Sequence, residues 1–118
     1  MGQLIDGVWV KGSVSTNDQK GSFKRASSVF RNKISSNHST YLPETNRYHL
    51  YVSYACPWAH RTLIFKKLKN LESHISVDYV HPDMLEMGWS FEKNFPGTSG
   101  DSLHNKRYVH EIYQLSDK

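Results

Sequence analysis

The residue with the clearest chemical potential is Cys56, which lies between an apolar, strand-like stretch and a stretch with helical spacing. Pro57 follows it, and proline is favoured at the first helical position, where its missing N–H costs no hydrogen bond. The sulfur would then lie beside the free N–H groups and the positive dipole end of a helix. Such an environment stabilises the nucleophilic thiolate. A lone cysteine is more often an inert core residue, and this position is what favours the reactive interpretation.

The residues after Cys56 narrow the chemistry. His60 and Arg61 fall within the first turn or so of the predicted helix, so we expect them to add positive potential that supports the thiolate. Dithiol oxidoreductases carry a second cysteine three residues after the first, but Ala59 occupies that position and the chain has 1 cysteine in total. An external thiol must then resolve any disulfide at Cys56, and glutathione is the abundant cytosolic candidate. The predicted reaction is monothiol exchange through a mixed disulfide that a second glutathione releases.

Composition argues against several other classes of function. The chain has 118 residues and a formal net charge of +4. Its densest basic cluster, at Lys66, Lys67 and Lys69, is typical of a solvated helix face, so no nucleic-acid site is predicted. None of the 7 histidines has metal-ligand spacing with supporting cysteines or carboxylates, so no metal site is predicted. Apolar runs are too short for a membrane span, and a single cysteine excludes an internal disulfide, so we expect a reducing, cytoplasmic compartment.

An α/β arrangement would position the cysteine. An irregular N-terminal extension is predicted over 1–46, because residues 11–40 are rich in Ser, Asn, Lys and Gly. Tyr48–Tyr54 is rich in aromatic residues and predicts a strand. Pro57–Asn70 predicts a helix that buries one apolar face, formed by Ile64, Phe65, Leu68 and Leu71. Ile75–Val80 predicts a second strand, so the unit is βαβ with parallel strands and a right-handed crossover.

Three further features are predicted outside the βαβ unit. The dipeptide Asp6-Gly7 predicts a turn near the N-terminus. The segment 88–105 is long enough to predict a functional loop, in which we interpret Asp101 as a turn residue without a catalytic role. A last helix is predicted from about Asn105.

The residues around Cys56 resemble one known family. The stretch from Arg47 to Glu72, RYHLYVSYACPWAHRTLIFKKLKNLE, closely resembles the signature region of the glutathionyl-hydroquinone reductases. These enzymes are also called xi-class glutathione transferases and are relatives of the omega class. The resemblance continues through Ile75–Phe91, the FPGTSGDSL stretch and Tyr108–Tyr113, and it includes the opening GQLIDGVW. It covers nearly the whole chain, and its Cys-Pro-Trp-Ala-His-Arg motif is highly specific.

The resemblance implies a thioredoxin-like N-terminal domain followed by an all-helical domain, in a homodimeric enzyme. It implies reductive removal of glutathione from glutathionyl-hydroquinones, which yields oxidised glutathione and free hydroquinone. Cys56 matches the catalytic cysteine, with Pro57, His60 and Arg61 beside it in the motif. Trp89, in the GWSF segment, matches a tryptophan that helps to hold glutathione. Without the resemblance, an isolated tryptophan would be interpreted as a packing residue.

The chain departs from the family pattern in what it lacks. The family's Val-Pro strand, its Glu-Ser pair and its helical domain have no counterpart, since Glu72-Ser73 precedes the second strand and lies in the wrong place. We therefore expect a fragment, with an incomplete thioredoxin-like domain over 47–118 after the extension over 1–46. Two strands leave a sheet edge unpaired and an apolar face half covered, so we expect marginal folding and weak activity. A chain without the helical domain need not dimerise.

Three functions stay open at this point. The leading one is a glutathione-dependent reductase that acts on glutathionyl-hydroquinones through Cys56, with glutathione as co-substrate and no metal. The second is an omega-type thioltransferase or dehydroascorbate reductase that uses the same cysteine. The third is a non-catalytic module that binds glutathione or a protein partner without turnover.

Overall fold

A computed structural model of the protein describes residues 2–12 and 27–116, and the part of the expected extension at 13–26 lies outside the described residues. The elements in chain order are β1 (Gly2–Ile5), β2 (Val8–Lys11), β3 (Tyr48–Val52), α1 (Pro57–Leu68), β4 (Ile75–Tyr79) and α2 (Val109–Ser116). They include two separate two-stranded sheets, an antiparallel β1–β2 pair and a parallel β3–β4 pair. Neither α1 nor α2 is long and apolar enough to cross a membrane.

The first residues form a hairpin, which corrects the expectation of irregular structure for Gly2–Lys11. The predicted turn at Asp6-Gly7 connects β1 and β2, with φ values of 46° and 75°. Two consecutive positive φ values are typical of the tight hairpin turns that Asp-Gly favours. An Asp-Gly pair between two apolar runs therefore specifies a hairpin in a segment whose overall composition resembles a loop. The described residues 27–46 contain no helix or strand, as expected.

The predicted βαβ unit is present, with parallel strands. β3 ends at Val52 rather than at the predicted Tyr54, because the chain turns at Ser53. The Ser53 hydroxyl accepts a hydrogen bond from the Ala55 N–H at 3.2 Å. Its carbonyl accepts one from the Cys56 N–H at 3.1 Å. This turn carries the chain from the sheet to the start of α1.

α1 begins where predicted but does not bury the predicted apolar face. Ile64, Phe65 and Leu68 are 43%, 61% and 70% exposed, and only Leu71, after the helix, is half-buried. The reason is that burial depends on a covering layer, and within the described residues the sheet beside α1 has two strands. The helix ends at Leu68, short of the predicted end, because Asn70 adopts a left-handed φ of 54°.

Within 2–12 and 27–116, the most buried apolar side chains are Val52, Val80 and Phe91, which are 3%, 3% and 5% exposed. Phe91 comes from the long loop after β4, so this loop contributes to the core. The loop also covers one edge of β4: the Ser99 N–H donates to the Tyr79 carbonyl at 3.0 Å, and the Ser99 hydroxyl accepts from the Tyr79 N–H at 2.8 Å. Covering an edge in this way blocks further strand pairing there.

α2 begins at Val109, later than the predicted start near Asn105. Asn105 adopts a left-handed φ of 53°, which interrupts any helix there. The Glu111 carboxylate accepts hydrogen bonds from the N–H groups of Arg107 and Tyr108 at 2.9 and 2.8 Å. An acidic side chain that reaches back to N-terminal donors in this way caps a helix start.

Candidate active site at Cys56 and Trp89

Cys56 is the N-cap residue of α1, as the sequence predicts. Its backbone is extended, with φ of −95° and ψ of 113°, and Pro57 takes the first helical position. The Cys56 carbonyl accepts the first helical hydrogen bond, from the His60 N–H at 3.0 Å. The side chain is half-buried and makes no capping hydrogen bond. The thiol is therefore held at the positive end of the helix, without an internal partner in the first turn.

The predicted supporting residues lie on the exposed side of the first two turns. The Arg61 guanidinium lies over the ring of Trp58, 5.0 Å from the ring centre. The first turn of α1 has no acidic residue, so no carboxylate there opposes a thiolate. Within the described residues, no hydrogen bond joins His60 or Arg61 to the sulfur. Their effect on Cys56 would be that of nearby charge, and their supporting role stays a prediction.

Trp89 lies on a segment held at two points. Its carbonyl accepts the Val109 N–H at 3.0 Å. The next residue, Ser90, forms an antiparallel bridge with Tyr108, and the Ser90 carbonyl accepts the His81 N–H at 2.9 Å. Trp89 is therefore positioned between the end of β4 and the start of α2.

Trp89 also lines a cavity of about 530 Å³. The cavity wall is mainly aromatic and apolar and comes from four places: the β1–β2 hairpin, the irregular segment at Val29 and Phe30, the turn after β4, and α2. Cys56 is not among its lining residues, so this cavity does not unite the two predicted site residues. Trp9, which also lines the cavity, was not singled out in the sequence, although it lies in the GQLIDGVW motif.

A buried carboxylate, Asp101, organises the loop beyond Trp89. It accepts hydrogen bonds from the Tyr51 hydroxyl at 2.8 Å and from three backbone N–H groups, those of Leu103, His104 and Lys106, at 2.9 to 3.1 Å. Burial of the carboxyl would raise its pKa, but these donors outweigh it and lower the pKa of Asp101 to about 2. Asp101 is thus the predicted turn residue, and its bond to β3 could not be read from the sequence.

Asp78 makes a second anchor of the same kind from β4. Its carboxylate accepts hydrogen bonds from the Ser99 hydroxyl at 2.8 Å and from both the N–H and the hydroxyl of Ser102 at 2.7 Å. His49 Nε2 lies 3.0 Å from the same carboxylate, with both side chains nearly buried. Burial opposes ionisation, yet the serine donors and His49 together lower the pKa of Asp78. Asp78 and Asp101 therefore fasten the loop to the β3–β4 sheet.

No group of three or more His, Cys, Asp or Glu side chains within residues 2–12 and 27–116 is arranged to hold a metal ion.

No family model matches the sequence. Individual proteins match it, however. The chain is 48% identical over 124 residues to glutathionyl-hydroquinone reductase YqjG of Escherichia coli, and the alignment covers 99% of this chain and 38% of that protein. It is 41% identical over 119 residues to glutathionyl-hydroquinone reductase PcpF of Sphingobium chlorophenolicum, with 99% of this chain and 36% of that protein covered. The chain therefore spans little more than a third of the length of these relatives.

Solved structures of glutathione transferases are also similar to this chain, in fold as well as in sequence. The xi-class glutathione transferase of Natrialba magadii superposes with a TM-score of 0.77 at 42% identity, over 96% of this chain and 33% of that one. The glutathione-bound structure of YqjG from Escherichia coli superposes with a TM-score of 0.74 at 43% identity, also over 96% of this chain and 33% of that one.

These likenesses and the cysteine at the start of α1 define part of a glutathione transferase, with an incomplete thioredoxin-like domain. More narrowly, the chain belongs to the xi class, the glutathionyl-hydroquinone reductases. The resemblance found in the sequence is thereby confirmed, as is the fold class.

Proposed function

We propose that this chain carries the nucleophile of a glutathione-dependent reductase that removes glutathione from glutathionyl-hydroquinones. The observation that carries the proposal is the position of Cys56 at the N-cap of α1, before Pro57 and with Ala59 in place of a resolving cysteine. Two relatives bear the name of this activity, and the similar structure of YqjG holds glutathione. A single thiol with this task would stay reduced in the cytoplasm, which we propose as its compartment.

The proposed reaction has two exchange steps. The Cys56 thiolate attacks the glutathionyl sulfur of the conjugate, a Cys56–glutathione disulfide forms, and the bond between sulfur and the aromatic carbon breaks. The carbon keeps the electron pair and takes a proton, which gives free hydroquinone. A second glutathione, as thiolate, attacks the mixed disulfide, releases oxidised glutathione and restores Cys56. The two sulfurs that become oxidised are those of glutathione, and the aromatic carbon is reduced.

The other predicted residues have supporting roles in this proposal. Pro57 begins the helix whose N-terminus faces the sulfur, and His60 and Arg61 add positive charge near it. Trp89 contributes to holding glutathione. We propose a low rate for the chain, because an exposed apolar surface on α1 leaves the helix that carries the nucleophile loosely supported.

Adduct formation tests the proposal directly. The chain is incubated with oxidised glutathione at neutral pH and its intact mass is followed over time. We expect one glutathione adduct in the native chain, none in Cys56→Ser, and faster formation than in the chain unfolded by urea. Equal rates for the native and unfolded chains would contradict an activated thiolate.

A second candidate differs only in substrate. A Schizosaccharomyces pombe relative, 52% identical over 97 residues, is named glutathione S-transferase omega-like 2. Turnover on a glutathionyl-hydroquinone, on a small mixed disulfide and on dehydroascorbate separates the two candidates. If glutathione binds but none of the three substrates turns over, the chain is a non-catalytic binding module, and the exposed surface of α1 becomes the place to look for a protein partner.

A further inference from the structure

The N-terminal hairpin packs against the segment that leads into Trp89, and the contact centres on Trp9. The Trp9 indole Nε1 donates a hydrogen bond to the Glu86 carbonyl at 3.0 Å, across 77 residues of sequence. The indole also stacks on the His110 imidazole of α2, with 4.3 Å between ring centres and 12° between planes. One side chain of the hairpin thus contacts both the turn before Trp89 and the helix after it.

Gly88, directly before Trp89, lets the Trp9 ring approach this closely. A Cβ atom at Gly88 would lie 3.0 and 3.2 Å from two atoms of the Trp9 ring, closer than most real Cβ contacts. The φ of Gly88 is +76°, which also disfavours any side chain. The backbone beside Trp89 therefore packs directly against the ring of Trp9.

α2 holds the same segment through hydrogen bonds. The His110 imidazole, on which Trp9 stacks, donates from Nδ1 to the Met87 carbonyl at 3.1 Å. The Val109 N–H donates to the Trp89 carbonyl at 3.0 Å. Removing Trp9 would remove both the stacking partner of His110 and the hydrogen bond to the Glu86 carbonyl. The segment that leads into Trp89 would then be held less firmly from the hairpin and from α2.

The hairpin is itself fastened to α2. The Gln114 side chain donates from Nε2 to the Gly7 carbonyl in the hairpin turn at 2.6 Å. An exposed ion pair between Lys11 and Glu86, at 3.5 Å, contributes little by comparison. The hairpin turn and Trp9 together fix the position of the hairpin against α2 and the segment before Trp89.

We infer that Trp9 is a positioning residue for Trp89, and that the hairpin is thereby part of the glutathione site. Trp9 and Trp89 line the same cavity, so the hairpin supplies one wall of the space beside Trp89. The link to glutathione rests on the proposed function, whereas the positioning contact itself does not.

Amide hydrogen exchange tests the positioning contact. The Val109 N–H bonds to the Trp89 carbonyl, and the Val80 N–H bonds to the Val52 carbonyl at the end of the β3–β4 sheet at 2.9 Å. In Trp9→Leu we expect exchange at Val109 to rise about tenfold while Val80 is unchanged, because only the segment near the hairpin opens. Trp9→Phe, which keeps an aromatic ring for His110, is expected to restore most of the protection. Val8→Ala, at a 64% exposed position of the same hairpin, is the matched control.

Saturation kinetics test the link to glutathione. With increasing oxidised glutathione, adduct formation in Trp9→Leu is expected to need about tenfold more reagent for half its maximal rate, with the maximal rate within about twofold. The rate of Cys56 alkylation by iodoacetamide, which needs no glutathione site, is expected to stay the same. A parallel fall in alkylation would indicate general damage and would overturn the positioning role.

The two proposals fail in different ways. If the native chain shows no saturation but Val109 still responds to Trp9→Leu, the proposed function fails and the positioning contact stands. If Val109 is unaffected by Trp9→Leu, or if Val80 exchanges faster in step with it, the inference about Trp9 is overturned whether or not glutathione binds.

Discussion

The start of α1 and the segment around Trp89 are built in opposite ways. Around Cys56, one local turn and one helix start position the sulfur, and the helix behind it exposes Phe65 and Leu68. Around Trp89, contacts come from His81 just after β4, from α2 and from a hairpin far away in the sequence, and the following loop is bound by two buried carboxylates. The nucleophile thus depends on local structure, and the tryptophan on tertiary structure.

This difference separates two requirements of the proposed reaction. A reactive thiolate needs the N-terminus of a helix, which a strand-turn-helix unit provides by itself. Holding glutathione needs side chains from several elements at fixed positions, so it requires packing. Changes near Trp89 should therefore affect stability and binding, whereas changes on α1 should affect mainly the reactivity of the thiol.

The largest difference is expected between two phenylalanines. Phe91 is 5% exposed and packs edge-on against Tyr51, 5.3 Å between ring centres, whereas Phe65 on α1 is 61% exposed. We expect Phe91→Ala to lower the free energy of unfolding by about 3 kcal/mol or more, since a cavity replaces a buried ring. Phe65→Ala should change it by less than about 1 kcal/mol. Urea unfolding followed by circular dichroism measures both.

The same two variants can also contradict the proposed difference between α1 and the segment around Trp89. Equal losses in the two variants would mean that α1 is as tightly packed as the loop, in an arrangement that hides Phe65. Loss of cooperative unfolding in Phe91→Ala alone would agree with the prediction, because Val52 and Val80 are the only other buried apolar side chains among the described residues.

The next effect concerns the polar anchors. Asp101→Asn keeps the size of the side chain but removes its charge and one acceptor from a site with four donors. We expect a loss of about 2 kcal/mol, because buried donors are left without a partner. Asp83→Asn, at an exposed position earlier in the same loop, is the control and should change the free energy by less than about 0.5 kcal/mol. Similar values for the two variants would exclude Asp101 as an anchor.

A somewhat smaller change in the free energy of unfolding is expected when the pH is lowered. The pKa of Asp101 is about 2 in the folded protein, below its ordinary value of 3.8, so its ionised form favours folding. That contribution is complete above pH 3.8 and is lost as the pH falls through 2. We expect about 1–2 kcal/mol of stability to disappear between pH 5 and 2, and Asp78 to act in the same direction. In Asp101→Asn the same pH series should be flatter, and an unchanged slope would contradict this assignment.

What the sequence predicts follows the same division between local and tertiary structure. The βαβ unit and the helix start at Cys56 could be predicted because strand composition and proline position are local signals. The burial of α1 could not, since it depends on which elements cover the helix. The contact of Trp9 with Glu86 and His110 joins residues about 80 to 100 positions apart, and no periodicity reports such a pair. The Asp6-Gly7 turn was the one local sign of a hairpin.

The smallest effect is expected at Arg61, where the thiol site meets solvent. The guanidinium lies over Trp58, which is 67% exposed, so its field at Cys56 is weakened by water and salt. Arg61→Gln should slow alkylation of Cys56 by iodoacetamide by about twofold at low salt and by less at 0.5 M salt, because loss of a nearby cation disfavours the thiolate. Lys69→Gln, at the far end of α1, is the matched loss of charge and should leave the rate unchanged. A large effect of Arg61→Gln that persists in high salt would show that Arg61 contacts the sulfur directly, and the nucleophile would then depend on more than the helix start.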